Sequence, residues 1–204
     1  GSLILHLGMS GSLRIVQPGE RPAKHDHFDL TVGKRMLRLR DPRRFGAVLW
    51  TCDDPRSHKL LANLGVEPLS AAFNAKLLYT LSRGHRVAIK LFLMDAKNVV
   101  GVGNIYANES LYRAGIRPSA RAGRLSLERC AMLVAEVKQT LEEAIRAGGS
   151  SLRDFVQSDG SSGYAQQNYR VYGRTGEPCR KCRTPIRRVV MGQRATFFCP
   201  VCQP

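Results

Sequence analysis

The first part of the chain, from Gly1 to about Thr51, consists of short apolar segments separated by glycine, proline and aspartate. Each segment has the length of a strand rather than of a helix, and the residues between them favour tight turns. This pattern is typical of antiparallel strands joined by turns. The predicted strands are Leu3–Leu7, Leu13–Val16, Phe28–Val32, Met36–Leu39 and Ala47–Trp50.

From about Asp53 to Gly149 the apolar residues recur at intervals of three and four, which predicts helices. The clearest helix covers Leu125–Ala147, because Ser126 can cap its N-terminus and glycines follow its end. We interpret its apolar stripe as core packing; the stripe is Met132, Leu133, Val137, Leu141 and Ile145. Further helical segments are predicted at Leu60–Leu64, Ala72–Leu81, Val87–Ala96, Ile105–Ala114 and Ser151–Val156.

The last part of the chain opens with a small polar loop, Gln157–Gly163, and ends in two pairs of cysteines. Between the pairs lie two apolar runs, Ile186–Met191 and Ala195–Phe198, which predict a β-hairpin. The chain is therefore expected to have an α+β fold in three parts: residues 1–52, 53–156 and 157–204.

The charge of the chain is strongly positive. It holds 32 Lys+Arg against 16 Asp+Glu, a formal net charge of +16 at pH 7. Such a surplus predicts a polyanionic partner, either DNA, RNA or an anionic membrane surface, although a solvated basic surface is the simpler alternative. The apolar runs are too short for a transmembrane helix, and Leu3–Leu7 is too short for the apolar core of a signal peptide. We therefore expect a cytoplasmic protein without a membrane partner.

The spacing of the cysteines indicates a metal site. Cys179 and Cys182 form one C-x2-C pair, and Cys199 and Cys202 form another beyond the predicted hairpin. Two such pairs can supply four thiolates in a tetrahedron, which suits one structural Zn²⁺ and leaves no open position for catalysis. Two disulfides, or a chance spacing, are the alternatives. A metal would supply the stability that so small a module cannot obtain from its own core.

Basic residues lie on and beside the predicted hairpin, which makes it a candidate reader of nucleic acid or, alternatively, a solvated face. These residues are Arg180, Lys181, Arg183, Arg187, Arg188 and Arg194. A glycine-rich turn before Asn104 leads into a helix whose free N-terminal amides suit a phosphate, although such a turn is more often a plain connection between helices.

Two predicted turns of the first part also carry side chains that suit DNA. Arg43, Arg44 and Phe45 lie on one turn, where the cations can reach phosphates and the ring can lie against a base step. Met9 lies on a second, glycine-flanked turn as a possible wedge. A core phenylalanine and a core methionine are the alternatives.

Together these segments resemble the formamidopyrimidine-DNA glycosylase family, bacterial base-excision enzymes that remove 8-oxoguanine and ring-opened purines. The related endonuclease VIII branch shares the central helices and zinc finger but usually lacks HLGMSG together with RRFG. The segments that carry the resemblance are HLGMSGSLRI at His6–Ile15, KHDHFDL at Lys24–Leu30, DPRRFG at Asp41–Gly46, NLGVEPLS at Asn63–Ser70, VVGVGNIYANESLYRAGIRP at Val99–Pro118, QSDG at Gln157–Gly160, VYGRTGEPC at Val171–Cys179 and QRATFFCPVCQ at Gln193–Gln203.

The resemblance implies part of an N-terminal antiparallel β-sandwich, a helix-two-turn-helix domain and a C-terminal zinc-finger hairpin. It implies a DNA glycosylase and abasic-site lyase that extrudes the damaged base and cleaves the strand by β,δ-elimination. The partner would be double-stranded DNA containing oxidised purines. The protein would act as a monomer, associated with the bacterial nucleoid through that DNA.

The resemblance also assigns residues. Met9, Arg43 and Phe45 match the residues that fill the gap left by the extruded base, with Arg43 facing the orphaned cytosine. Asn104 and Arg194 match residues that hold phosphates around the lesion, and Arg194 is also the catalytic residue of the elimination step. Further matches to DNA-binding positions are His25, Arg86 and Lys90, the last near the lesion pocket.

The polar loop matches the segment that closes over 8-oxoguanine. Its residues are Ser158, Gly160, Gly163 and Tyr164. The family commonly has an aromatic residue immediately after this Gly-Tyr, where this chain has Ala165. That difference bears on which lesion the loop prefers.

Three catalytic residues of the family have no match in this sequence. The family begins with a proline, whose amine attacks the sugar C1′, and then a glutamate, whereas this sequence begins Gly1-Ser2-Leu3. The elimination lysine that precedes HLGMSG in the family is also unmatched. We therefore expect this chain alone to lack normal glycosylase activity. The alternatives are an enzyme of the family, an inactive damaged-DNA-binding module and a zinc-ribbon RNA-binding or ribosome-associated protein.

Overall fold

The computed structural model describes residues 1–148 and 169–204, and these form two compact units. We call Gly1–Ala62 with residues 146–148 the N-terminal unit, and Asn63–Ile145 with residues 169–204 the C-terminal unit. Two predictions lie outside the described residues: the short helix at Ser151–Val156 and the loop residues Ser158, Gly160, Gly163 and Tyr164. None of the described helices is both long enough and apolar enough to cross a bilayer.

The N-terminal unit contains two small antiparallel sheets. One pairs β1 with β5, and in the other β4 lies between β2 and β3. All five predicted strands are confirmed, with ends that differ by one or two residues because hydrogen-bonded pairing extends into the polar flanks. The strands are β1 Ser2–His6, β2 Ser12–Val16, β3 Asp26–Val32, β4 Arg35–Arg40 and β5 Ala47–Thr51.

The C-terminal unit contains four α-helices and a β-hairpin. The helices are α1 Ala75–Ser82, α2 Ile89–Met94, α3 Asn104–Arg113 and α4 Leu127–Arg146, whose last residue passes out of the unit. The strands are β6 Arg187–Met191 and β7 Arg194–Phe198. The predicted α+β fold is confirmed.

The longest helix, α4, forms where its cap and its apolar face predict it. The Arg129 N–H donates to Ser126 Oγ at 3.2 Å, so this serine satisfies a free amide at the helix start. The predicted stripe is partly wrong, because Met132 is 44% exposed and Ile145 is 64% exposed. The buried face is turned slightly from the predicted one and comprises Cys130, Leu133, Val134, Val137, Thr140, Leu141 and Ala144.

The helical segment predicted at Leu60–Leu64 is wrong. The chain there forms turns, after a single 3-10 turn at Pro55–Ser57. Directly after this segment the backbone pairs with residues that follow α2: the Gly65 N–H donates to the Ala96 carbonyl at 2.7 Å, and Val66 forms a parallel bridge with Val99. An extended chain at these residues satisfies those groups, whereas a helix would not.

Two apolar clusters lie within the C-terminal unit. The larger one is built from all four helices, with Phe73, Ile89, Leu93, Leu111 and Leu133 among its fully buried members. The smaller one joins α3 to the cysteine-rich end and comprises Tyr112, Val171, Cys179, Ile186, Phe197 and Cys199. The hairpin is therefore packed against the helices rather than standing alone.

The tip of the hairpin contacts α2. Gly192 and Gln193 both have positive φ angles, 55° and 59°, which is the conformation of a two-residue type I′ turn. A Cβ on Gly192 would lie 2.6 Å from Leu91 Cδ2. The positive φ at position 192 favours glycine, a larger residue there would also displace the end of the Leu91 side chain, and the turn immediately precedes the segment that carries Arg194.

Candidate nucleic-acid interface

The four cysteines of the C-terminal end form one cluster. The sulfur atoms of Cys179, Cys182, Cys199 and Cys202 all lie within 4.8 Å of one another, and the cysteines are free. The Cys179–Cys202 and Cys182–Cys199 sulfur distances are 3.8 and 3.4 Å. Four thiolates bound to zinc at about 2.3 Å in a tetrahedron would lie about 3.8 Å apart. The donor set and its spacing therefore fit one tetrahedral zinc, and the disulfide alternative is not seen.

Tyr112 of α3 supports one ligand of this cluster. Its hydroxyl lies 3.2 Å from Cys179 Sγ, and the side chain is almost fully buried. Burial opposes ionisation of Cys179, but hydrogen bonds from Tyr112 and from the backbone N–H groups of Cys182 and Lys181 outweigh it and lower the pKa of the thiol to about 6. Tyr112 thus stabilises the thiolate that a metal requires.

Three polar side chains at intervals of four residues form a stripe along α3, and all three face the hairpin end. Asn104 Nδ2 donates to the Ala195 carbonyl at 3.1 Å. One turn later, Asn108 Oδ1 accepts from the Phe197 N–H at 2.7 Å. Tyr112, a turn further on, contacts the cysteine cluster. Sequence reasoning singled out Asn104 but missed the other two, although their spacing along the helix is visible in the sequence.

Lys90 of α2, which is predicted to contact DNA, is fully buried in this structure. Its Nζ donates to Thr196 Oγ1 at 2.7 Å and to the Ala195 carbonyl at 3.2 Å. Burial, together with the positive charge of Arg194, lowers the pKa of Lys90 to about 8. In this structure its ammonium joins α2 to β7 rather than facing solvent, whereas Arg194 itself is exposed.

Glu109 was also missed by sequence reasoning. The side chain is buried, and its carboxylate accepts three backbone N–H groups of the segment that leads to the cysteines. The distances are 2.9 Å from Arg170, 3.0 Å from Val171 and 2.8 Å from Tyr172. Because a carboxylate offers several acceptor sites, one side chain holds a whole turn of backbone against α3.

In the N-terminal unit, Met9, Arg43 and Phe45 lie on two turns that touch each other. The Ser10 hydroxyl donates to Asp41 Oδ1 at 3.2 Å. A Cβ on Gly8, where φ is +63°, would lie 2.7 Å from the carbonyl carbon of Phe45. The glycine therefore permits a close approach of the two backbones, and the structure brings these three predicted residues into one neighbourhood.

Asp41 organises the turn that carries Arg43 and Phe45. The Gly46 N–H donates to its Oδ2 at 2.7 Å. Burial would raise the pKa of Asp41, but hydrogen bonds from Gly46, from Ser10 and from the backbone of the turn outweigh it and hold this pKa below its ordinary value. An ionised Asp41 thus fixes the backbone on which the exposed side chains stand.

The exposed side chains of these turns are apolar or cationic. Met9 is 62% exposed and Phe45 is 57% exposed, and the Arg43 guanidinium carbon lies 4.9 Å from the centre of the Phe45 ring. The core alternatives for Met9 and Phe45 are therefore wrong. Exposed apolar side chains beside a cation are suited to contact with the faces of bases.

The remaining predicted DNA-binding residues lie elsewhere. His25, half-buried in the N-terminal unit, has a positive φ of 77°, and its carbonyl accepts the Asp41 N–H at 2.9 Å. Arg86 lies exposed between α1 and α2 in the C-terminal unit. Asn104, Lys90 and Arg194 share the C-terminal unit, whereas Met9, His25, Arg43 and Phe45 share the N-terminal one.

Comparison with known proteins decides the family. The formamidopyrimidine-DNA glycosylase of Aromatoleum aromaticum is 61% identical over 203 residues, which is 100% of this chain and 75% of that protein. The protein of the same name from Methylobacillus flagellatus is 58% identical over 204 residues, 100% of this chain and 73% of that protein. The chain belongs to the formamidopyrimidine-DNA glycosylase family.

Models of three known domains match successive parts of this chain. Residues 1–48 match the formamidopyrimidine-DNA glycosylase N-terminal domain, and residues 64–156 match its H2TH domain. Residues 176–204 match the zinc finger found in FPG and IleRS. With the four-cysteine cluster, this assigns one structural zinc to Cys179, Cys182, Cys199 and Cys202.

Solved structures of formamidopyrimidine-DNA glycosylases agree with this fold. MutM (Fpg) from Thermus thermophilus has a TM-score of 0.87 at 38% identity, over 98% of this chain and 75% of that one. A mutant of Lactococcus lactis Fpg in complex with DNA containing Fapy-dG also has a TM-score of 0.87, at 35% identity, over 98% and 74% of the two chains. Family membership places the chain among DNA-repair glycosylases that carry a zinc finger.

Proposed function

We propose that this chain binds duplex DNA at an oxidised purine and serves base-excision repair. In this proposal the lesions are 8-oxoguanine and formamidopyrimidines, the damaged base is extruded from the stack, and the reaction of the family continues to β,δ-elimination at the abasic sugar. The observation that carries the proposal is that Met9, Arg43 and Phe45 lie close together on two turns that touch each other. The match to the family over the full length of this chain supports it.

Extruding a base leaves a gap in the stack, and the duplex collapses unless something fills it. Met9 and Phe45 offer exposed apolar side chains of suitable size, and Arg43 offers hydrogen-bond donors for the unpaired cytosine. Asp41 supports this role, since its hydrogen bonds to Ser10 and Gly46 hold the two turns together. A wedge on a fixed backbone keeps more of its binding energy than a wedge on a mobile one.

The C-terminal unit would hold the phosphates. Arg194 is exposed at the hairpin tip, and α3 begins at Asn104, so the positive end of the helix dipole lies at that residue. An arginine and a helix N-terminus are both good phosphate ligands. We also propose that Arg194 stabilises the negative charge of the leaving phosphate during elimination.

Binding of a defined lesion tests this function. We would compare a duplex carrying a tetrahydrofuran abasic analogue opposite cytosine with the undamaged duplex, by fluorescence anisotropy. The wild-type chain should prefer the first duplex, and if about six phosphates are neutralised, the slope of log K against log salt should be roughly −5. Phe45→Ala should remove most of the preference. Trp50→Ala is the matched control, because Trp50 is an equally exposed aromatic residue of the same unit, at 65%.

Borohydride trapping distinguishes whether this chain is an enzyme or a module that only binds damaged DNA. On a duplex with one 8-oxoguanine opposite cytosine, an amine that attacks C1′ forms a Schiff base that borohydride reduces to a stable adduct. Bound duplex without an adduct would support a module that binds damaged DNA. An adduct would show that an amine of this chain performs the attack. The absence of any preference for the abasic duplex would overturn the proposed function.

A further inference from the structure

Strand β7 is held on its two edges by different kinds of partner. Among the described strands it pairs with β6, while its other edge receives side chains from α2 and α3. Lys90 and Asn104 both donate to the Ala195 carbonyl, and Asn108 accepts from the Phe197 N–H. Directly after Arg194, these side chains thus form the hydrogen bonds that a third strand would otherwise form with β7.

Among these residues, Asn108 forms hydrogen bonds both to β7 and to the first turn of α3. Its Oδ1 accepts from the Phe197 N–H at 2.7 Å, and its Nδ2 donates to the Asn104 carbonyl at 2.6 Å. The side chain is fully buried. A primary amide offers a donor and an acceptor at once, so one side chain joins the first turn of α3 to β7.

We propose that Asn108 is a positioning residue that sets the exposed Arg194 relative to Asn104, so that both grip the DNA backbone in one fixed arrangement. The inference rests on the proposed function, in which Asn104 and Arg194 hold phosphates. It goes further in assigning a role to a residue that itself faces away from solvent. Fixing two phosphate ligands before binding lowers the ordering cost of binding.

Two variants and one control separate positioning from stability. Asn108→Leu has a similar volume and loses both hydrogen bonds. Asn108→Asp keeps an acceptor for the Phe197 N–H but loses the donor to Asn104, so it carries the test if the leucine variant does not fold. Thr140→Val is the control: Thr140 is buried on α4, and its Oγ1 has no hydrogen-bond partner among the described residues. Zinc content and circular dichroism check that each variant is folded.

The experiment is a double-mutant cycle with Arg194→Ala, read as affinity for the abasic-analogue duplex. Asn108→Leu should weaken binding by about 10- to 100-fold, the cost of one charge-assisted contact. It should also reduce the magnitude of the salt slope by about 0.9, as loss of one arginine–phosphate contact does. In the Arg194→Ala background the same change should cost less than about threefold, because the contact is already absent.

Equal losses in the two backgrounds, with an unchanged salt slope, would overturn the positioning role, since they would show that Asn108 acts on the fold alone. Thr140→Val should leave affinity and slope unchanged. Failure of the wild-type chain to prefer the abasic duplex overturns the proposed function instead, so the two failures are distinguishable.

Discussion

Replacing Glu109 with glutamine should weaken the attachment of the cysteine-rich end to α3. Glutamine has the same shape, but it replaces one carboxylate oxygen with an NH₂ group. The oxygen that accepts from Val171 and Tyr172 can be kept as the amide carbonyl. The NH₂ group then faces the Arg170 N–H, so a donor meets a donor where the carboxylate accepted a bond at 2.9 Å.

The magnitude follows from these three bonds. A hydrogen bond to a charged group contributes about 1.5–3 kcal/mol, and a neutral one about 1 kcal/mol. Losing one bond and the charge on the other two should therefore cost about 2.5–7 kcal/mol, a large share of the stability of an ordinary domain. In a chain of this size that loss lowers the melting temperature by roughly 10 °C or more.

Thermal unfolding and amide hydrogen exchange measure this effect. Glu109→Gln should lower the melting temperature and speed exchange at Arg170, Val171 and Tyr172. Glu142→Gln is the matched control, because Glu142 is an exposed glutamate on α4 and should change neither readout. An unchanged melting temperature with unchanged exchange at the three amides would refute the reasoning.

Two further predictions concern the metal and pH. Cys199→Ser should lower the zinc content below one per chain and unfold the hairpin, measured by atomic emission and by exchange of the Phe197 amide, and full zinc retention would contradict the four-thiolate site. The pKa of Lys90 falls from 10.5 to about 8 on folding, so the unfolded chain binds more protons between these values. Wild-type stability should therefore rise from pH 8 to pH 10.5 relative to Lys90→Met in denaturant titrations, and parallel pH profiles would show that folding does not lower the pKa of Lys90.

Local sequence patterns sufficed for most of the secondary structure, because turns and caps act over a few residues. Helix α1 shows that such patterns predict a helix but can misplace its start. Helix α1 was predicted to start at Ala72, but it starts at Ala75, where Asn74 Oδ1 accepts from the Leu77 N–H at 3.0 Å. The helix predicted at Leu60–Leu64 failed for a different reason: Gly65 and Val66, directly after it, pair with backbone beyond α2, and no local pattern shows that pairing.

The candidate site likewise contains residues that local sequence patterns predict and residues that they miss. Cysteine spacing predicted the zinc site, because the four ligands come in two local pairs. Asn108 and Glu109 escaped notice because their partners lie 89 and 61 to 63 residues away along the chain. Lys90 was expected to face DNA, and only the packing of β7 against α2 shows that its ammonium is enclosed.

The long reach of the α3 contacts has a consequence for how the protein is made. A ribosome releases α3 before it releases residues 169–204, so the partners of Asn108, Glu109 and Tyr112 reach these side chains only after the residues between have been made. Contacts that close such long loops form late in folding. The nascent helices should therefore assemble first around their apolar core, with the polar stripe of α3 still hydrated. Docking of the cysteine-rich end on α3 then awaits the synthesis of β7 and the arrival of zinc, so the order of translation sets the order in which the two parts of the C-terminal unit assemble.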